Sequence, residues 1–160
     1  MSPTEAHKKF MRMAIRLSEQ NVISAAGGPF GAVISKNGLL IAKSANMVTL
    51  HNDPTAHAEI SAIRQACKKL NTYDLSGCVI YTSCEPCPMC LSAIYWAHID
   101  LVFYGNTKEN AASIGFDDQF IYDEIHLDKP SRRLKMQQIL GLEAKHAFNL
   151  WEQSEFKKEY

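Results

Sequence analysis

Residues 78–104 have the sequence CVIYTSCEPCPMCLSAIYWAHIDLVFY, which predicts the central elements of the fold. The apolar run Cys78–Thr82 predicts a buried strand. Pro86 and Pro88 then open a helix, because proline is favoured in the first helical turn. Leu101–Tyr104 predicts the next strand. A strand, a helix and a strand in this order indicate a parallel pair of strands with a helix packed on the sheet.

A helix and a hairpin are predicted near the start of the chain. Residues 5–22 have helical spacing, and Ala32–Ser35 and Leu39–Lys43 form two apolar runs. Asn37-Gly38 joins these runs and is the strongest short hairpin signal, because both turn positions need a positive φ. One face of the first helix is formed by Phe10, Met13, Ala14, Leu17 and Asn21.

Further helices are predicted on either side of the opening stretch. Asp53-Pro54-Thr55 is typical of a helix start, and Asn71 is a suitable stop for the same helix. Residues 108–114 are predicted to be helical, and Arg133–Leu142 to supply a short edge strand. Ala144–Tyr160 is predicted to be a C-terminal helix with Phe148, Trp151 and Phe156 on its apolar side.

Composition limits the classes of function. The 160 residues suit one domain that needs no disulfides, and 17 basic residues balance 17 acidic ones. A net charge of +0 argues against electrostatic capture of nucleic acid or of an anionic membrane. No signal peptide and no membrane span are expected, and we expect a cytoplasmic protein. The five cysteines favour metal binding in a reducing compartment, because three of them lie within seven residues.

His57, Cys87 and Cys90 have the pattern of zinc ligands. Cys87 and Cys90 are three residues apart at a helix start, which places both sulfurs on one face. His57 lies at the start of the earlier helix, so two helix N-termini are expected to converge beyond the end of a strand. The alternatives are a satisfied histidine with buried cysteines, or a closed structural site in which Cys84 is the fourth ligand.

Glu59 favours an open, hydrolytic site over these alternatives. It lies two positions from His57 in the same helical turn, near the metal but not on it. Zinc makes water a nucleophile at neutral pH, and a neighbouring carboxylate can take and return its proton. The alternative role for Glu59 is a favourable interaction with the helix dipole.

These motifs carry a family resemblance. His57-x-Glu59 with Pro86-Cys87-x-x-Cys90 is the signature of zinc nucleobase deaminases. The chain resembles the cytidine deaminase-like superfamily and, within it, the bacterial guanine deaminases. The narrower resemblance lies in residues 27–33, 52–59, 81–90, 115–118 and 157–160.

The resemblance implies an α/β fold. It is a three-layer α/β/α sandwich in which a central mixed sheet of about five strands carries an N-terminal β-hairpin and helices on both faces. Residues 1–160 are expected to form a single zinc-dependent deaminase domain. The C-terminal segment, about residues 144–160, is expected to be exchanged between the subunits of a homodimer.

The resemblance also implies the reaction and the site. Guanine would be hydrolysed to xanthine and ammonia by attack of zinc-activated water at C2, with one zinc ion per subunit. His57, Cys87 and Cys90 would hold the metal, and Glu59 would move the protons. The implied substrate-binding residues are Phe30 against the purine face, Asn46 and the backbone N–H of Ala58 at the ring edge, Asp118 facing purine N–H groups, and Tyr160 closing the pocket.

Several alternatives stay open. Phe30 also suits a core, Asn46 a turn, Asp118 a helix cap and Tyr160 a terminus. Guanosine or cytosine are alternative substrates, and a tRNA adenosine deaminase or a non-enzymatic zinc module are alternative functions. Ser92 and His98 depart from the family pattern, where glycine and arginine are common, but neither touches the metal motif.

Overall fold

The computed structural model describes residues 4–160, which fall into two compact units. The first unit ends at Asp118, and the second is Gln119–Tyr160. The first contains α1 (Glu5–Ile23), β1 (Gly31–Lys36), β2 (Leu39–Ala45), α2 (Val48–His51), α3 (Ala58–Leu70), β3 (Cys78–Cys84), α4 (Pro88–Trp96), β4 (Leu101–Asn106) and α5 (Lys108–Ser113). The second contains α6 (Gln119–His126), a short 3₁₀ turn (Lys129–Ser131) and α7 (Gly141–Gln153).

The sheet is mixed and has the strand order β2-β1-β3-β4. The hairpin of β1 and β2 turns at Asn37 and Gly38, both with positive φ (51° and 75°), which confirms the predicted turn. β1 is antiparallel to β3, whereas β3 and β4 are parallel and pair Ile80 with Val102. The parallel pair predicted from residues 78–104 is therefore confirmed.

The expectation of about five strands is wrong, because the sheet over residues 4–160 has four. No strand forms in residues 133–142, where an edge strand was predicted. Leu140 has a left-handed φ of 53°, a value that an extended strand does not tolerate, and α7 begins at Gly141. The apolar residues in this segment indicated a strand, but a strand also needs a neighbour to pair with.

Helices pack on both faces of the sheet, as expected for three layers. Alternate residues of one strand point to opposite faces. Ala32 and Ile34 of β1 accordingly lie in a core with residues of α3 and α4, whereas Val33 lies in a second core with α1. The second core consists of Phe10, Ala14, Val33 and Tyr81, all of them buried.

Some helix ends differ from the sequence prediction. α3 begins at Ala58 and not at residues 53–55, because the Asp53 carboxylate accepts hydrogen bonds from the backbone N–H and hydroxyl of Thr55 at 2.8 and 2.7 Å. These bonds stabilise a turn before the helix. The predicted stop at Asn71 is confirmed by its left-handed φ of 51°. α7 ends at Gln153, so the predicted helix to Tyr160 is too long.

Between residues 4 and 160, no helix has both the length and the apolar character that a membrane crossing requires.

Candidate metal centre and its pocket

Two helix starts bring the predicted metal ligands together. His57 is the N-cap of α3, and Cys87 is the N-cap of α4, just after β3 ends at Cys84. The His57 side chain makes no hydrogen bond to its own helix, although this position usually does so, and Cys87 Sγ bonds Cys90, another member of the group. The two N-cap side chains face each other at the carboxyl end of β3, where α/β sheets commonly bind ligands.

The three donor atoms have the spacing of a tetrahedral site. His57 Nδ1 lies 3.6 Å from Cys87 Sγ and 3.4 Å from Cys90 Sγ, and one ligand atom from each residue lies within 4.8 Å of the others. Zinc bonds of about 2.3 Å to sulfur and about 2.0 Å to nitrogen at a tetrahedral angle imply an N···S separation of about 3.5 Å. One nitrogen and two sulfur donors at this spacing fit a zinc ion.

The pKa values of the Cys87 and Cys90 thiols are shifted in opposite directions. The hydrogen bond with Cys90 lowers the pKa of Cys87 to about 4, and the contact with His57 acts in the same direction. The hydrogen bond with Cys87 and burial raise the pKa of Cys90. The pKa of His57 is raised, mainly by its hydrogen bond with Cys87. Cys87 therefore readily forms a thiolate, whereas Cys90 needs a bound dication to favour its thiolate form.

Cys84 lies outside the metal group. Its thiol donates a hydrogen bond to the Thr107 carbonyl at 3.6 Å, and burial, followed by the charge of Glu59, raises its pKa to about 11. A neutral thiol paired with a carbonyl is a poor fourth ligand. The donor set therefore has three protein ligands, which is the pattern of an open rather than a closed zinc site.

Glu59 is buried next to these ligands. It lies in the first turn of α3, and burial is the main cause that raises the pKa of its carboxyl. The negative charge of Cys87 acts in the same direction. A carboxyl whose pKa is moved toward neutrality can both accept and release a proton, as general acid–base catalysis requires.

A cavity of about 450 Å³ opens over this cluster. Pockets of about 300–1,000 Å³ suit small molecules. Its lining residues all belong to the first unit and bring together most of the predicted site: Phe30, Asn46, His57, Glu59, Cys87 and Asp118.

Asn46 and Phe30 lie on one wall and are joined through their backbones. The Asn46 N–H donates to the Phe30 carbonyl at 3.0 Å. Asn46 Oδ1 accepts from the Val48 N–H at 3.2 Å, which leaves the Nδ2 hydrogens of this buried residue for other partners. The Phe30 ring packs edge-on against Phe116, with 4.9 Å between ring centroids.

Asp118 also lines the pocket and is half-buried. Burial raises the pKa of its carboxyl, and the charge of Cys87 adds to the shift. Ala58 is buried as the first residue of α3, where a backbone N–H has no partner within its own helix. Tyr160 belongs to the second unit and is exposed.

Sequence reasoning missed some pocket residues. Phe116, Lys108 and Glu85 also line the cavity, and none was singled out as a site residue. Phe116 is next to Asp117-Asp118 and Glu85 is next to Pro86, so proximity to the motifs was the available signal. Glu85 also accepts a hydrogen bond from the Lys108 N–H at 3.2 Å, which ties the end of β3 to the start of α5.

Three nitrogen and sulfur ligands beside a buried carboxylate define the class of open-site metallohydrolases. Comparison of the sequence with known protein families identifies the family within this class. Residues 4–106 match the family described as the cytidine and deoxycytidylate deaminase zinc-binding region, and the chain belongs to that family.

Individual relatives cover different shares of the chain. The guanine deaminase of Bacillus subtilis (strain 168) is 50% identical over 154 residues, which are 96% of this chain and 99% of the relative. A crystal structure of guanine deaminase from Bacillus subtilis aligns with a TM-score of 0.93 over 96% of this chain and 98% of that one, at 50% identity. The tRNA-specific adenosine deaminase of Aquifex aeolicus is 41% identical over 95 residues, which are 59% of this chain and 62% of the relative.

Proposed function

We propose that this protein hydrolyses guanine to xanthine and ammonia. The observation that carries the proposal is the group of His57, Cys87 and Cys90 beside buried Glu59, opening onto a cavity that also contains Asp118. The choice of guanine is supported by the similarity to the Bacillus subtilis guanine deaminase along nearly the whole chain. The tRNA-specific relative from Aquifex aeolicus matches a smaller share of the chain.

The metal ligands are His57, Cys87 and Cys90, whose spacing suits zinc. Zinc held there supplies the Lewis acidity that makes water a nucleophile at neutral pH. The positive ends of α3 and α4 both meet at this position, and they favour the negative charge of the thiolates and of the nucleophile.

Glu59 moves the protons. Its carboxylate takes a proton from the attacking water and delivers it to N3, the unprotonated ring nitrogen next to C2, as the water oxygen bonds to C2. The remaining proton of that oxygen then passes through Glu59 to the amino group, which leaves as ammonia as the C2–N bond breaks. Guanine and water thus give xanthine and ammonia without any other reactant. Burial of Glu59 suits this role, because it keeps the carboxyl pKa above its ordinary value.

The remaining pocket residues orient the base. Asp118 accepts hydrogen bonds from purine N–H groups, and Asn46 bonds the opposite ring edge through its side-chain amide. Phe30 lies against the purine face, and the Ala58 N–H meets a ring acceptor. A purine that lacks the N–H donors leaves the half-buried Asp118 carboxylate unpaired, and discrimination of this type reaches about 10⁴-fold.

The assembly is also part of the proposal. We propose a cytoplasmic homodimer in which a single domain exchanges residues 144–160 between subunits and Tyr160 closes the pocket. Several large apolar side chains of this segment are exposed on the isolated chain, which supports their burial against another surface: Phe148, Leu150, Trp151 and Phe156.

Ammonia release from a panel of substrates tests the proposal. Guanine, guanosine, cytosine, adenine and a tRNA anticodon stem are each incubated with the zinc-loaded protein, and with protein stripped of metal as the control. We expect guanine to have the highest kcat/KM by at least tenfold, and metal removal to abolish turnover. Turnover of another member of the panel with guanine inert would refute guanine as the substrate.

A further inference from the structure

Asn21 makes two hydrogen bonds to backbone carbonyls of pocket residues, and the proposed reaction gives it no role. It lies near the end of α1 and is only 7% exposed. Its Nδ2 is 2.8 Å from the Gly28 carbonyl oxygen and 2.9 Å from the Asn46 carbonyl oxygen. Carbonyls only accept, so the amide nitrogen must face both of them, and each of its two hydrogens has one partner.

The two carbonyls belong to the two segments that form one wall of the pocket. Gly28 precedes Phe30 by two residues, and its oxygen also accepts from the Phe30 N–H at 2.8 Å. Asn46 is itself a pocket residue, 25 positions from Asn21. Asn21 thus connects a loop and a strand end that only tertiary structure brings together.

The junction of Gly27, Asn21 and Asn46 is tightly packed. A Cβ atom on Gly27 would lie 2.7 Å from the Asn46 carbonyl oxygen and 3.0 Å from Asn21 Nδ2. No side chain fits at position 27 without displacing one of these groups. The loop therefore lies directly against the amide of Asn21, and a shift of either would move the other.

We propose that Asn21 is a positioning residue for substrate binding, which sets the places of Phe30 and the Asn46 side chain by holding the Gly28 and Asn46 carbonyls. The inference rests on the proposed function for the identity of the substrate. Without the amide, the Asn46 carbonyl loses this donor and the Gly28 carbonyl keeps only the Phe30 N–H, so the loop shifts to find another partner for the buried oxygen. Binding residues must be held within about 0.5 Å of their productive geometry, so such a shift weakens substrate binding.

Steady-state kinetics test the consequence for binding. Asn21→Ala is expected to raise KM for guanine by about tenfold and to change kcat less, because the metal group and Glu59 stay in place. Ser18→Ala is the matched control. Ser18 is also buried on α1, one turn earlier, and its hydroxyl donates only within that helix, to the Ile15 carbonyl at 2.7 Å. The control is expected to keep the KM of the wild-type protein.

A double-mutant cycle separates positioning from general destabilisation. If Asn21 acts largely through Asn46, Asn21→Ala should change kcat/KM much less in an Asn46→Ala background than in the wild-type background. Equal effects in both backgrounds, or a wild-type KM in Asn21→Ala, would overturn the proposed role in binding.

Amide hydrogen exchange tests the contact itself without substrate. Exchange at the Asn46 N–H should become at least about tenfold faster in Asn21→Ala than in Ser18→Ala, while β3 keeps its protection. Asn21→Ser retains one donor and serves if the alanine variant does not fold; it should show a smaller effect in the same direction. Unchanged exchange in the variant that folds would overturn the contact. A wild-type protein inert toward guanine would refute the proposed function, and the exchange comparison would still decide the role of Asn21.

Discussion

Cys87 is the N-cap of α4 and also a member of the metal group. His57 is likewise the N-cap of α3 and a member of the metal group. An N-cap side chain usually bonds its own helix and stabilises it by about 1 kcal/mol. His57 forgoes that bond, and Cys87 Sγ bonds Cys90, itself a member of the metal group, so both side chains are available to a metal ion. Metal binding to the folded chain then contributes stability in return.

Cys87→Ala is expected to abolish bound zinc and activity together. Two remaining ligands hold zinc far more weakly than three, and the empty sulfur position cannot be filled by alanine. Zinc per chain is measured by elemental analysis alongside ammonia release. Cys67→Ala is the control, since Cys67 is a cysteine of α3 outside the metal group, and it should keep both. An active, metal-free Cys87→Ala protein would rule out the proposed site.

The elements that position the site were largely predictable. The hairpin turn at Asn37-Gly38 and the run Cys78–Thr82 are local signals, because turn chemistry and a continuous apolar run depend on neighbouring residues. The start of α3 was misplaced, since Asp53 bonds Thr55 and holds a turn. Asp53 therefore stabilises the turn that precedes α3 and does not cap the helix itself. The short helix α2 gave no signal of its own.

Ile34 tests how β1 packs against α3 in the core. Ile34 of β1 is 0% exposed and lies between the sheet and α3, so Ile34→Ala should lower the free energy of unfolding by about 2–5 kcal/mol. Leu39 is the control, because it lies on the same hairpin and is 68% exposed. Leu39→Ala should change stability by less than about 1 kcal/mol. Urea unfolding measures both, and equal losses would contradict the assigned packing.

In the molecule as a whole, the structure brings His57, Cys87 and Cys90 together beside Glu59, as motif spacing on helix starts predicts. The roles of these residues stay predictions. Phe116, Lys108 and the contact of Asn21 were not identified, because they depend on which loops meet in space. The expected fifth strand was wrong for the related reason that strand formation depends on a partner far along the chain.

The oligomeric state and the closing role of Tyr160 are tested on the whole molecule. Light scattering should give a mass of twice the 18.0 kDa chain. Tyr160→Ala should raise KM for guanine by about tenfold if the terminal side chain closes the pocket, because the substrate loses a contact made on closure. Lys158→Ala, two residues earlier, should not change KM. A monomer whose Tyr160→Ala variant keeps the wild-type KM would reject both the exchange and the closing role.

Guanine hydrolysis at a zinc site with Glu59 as the proton carrier is tested by comparing guanine turnover in the wild-type protein and in Glu59→Gln, at matched zinc content. The amide keeps the size of the side chain but cannot carry the proton, so kcat should fall by about 10²–10⁴-fold while zinc remains at one ion per chain. Glu59→Gln protein that holds zinc and releases ammonia from guanine at the wild-type rate would contradict the account.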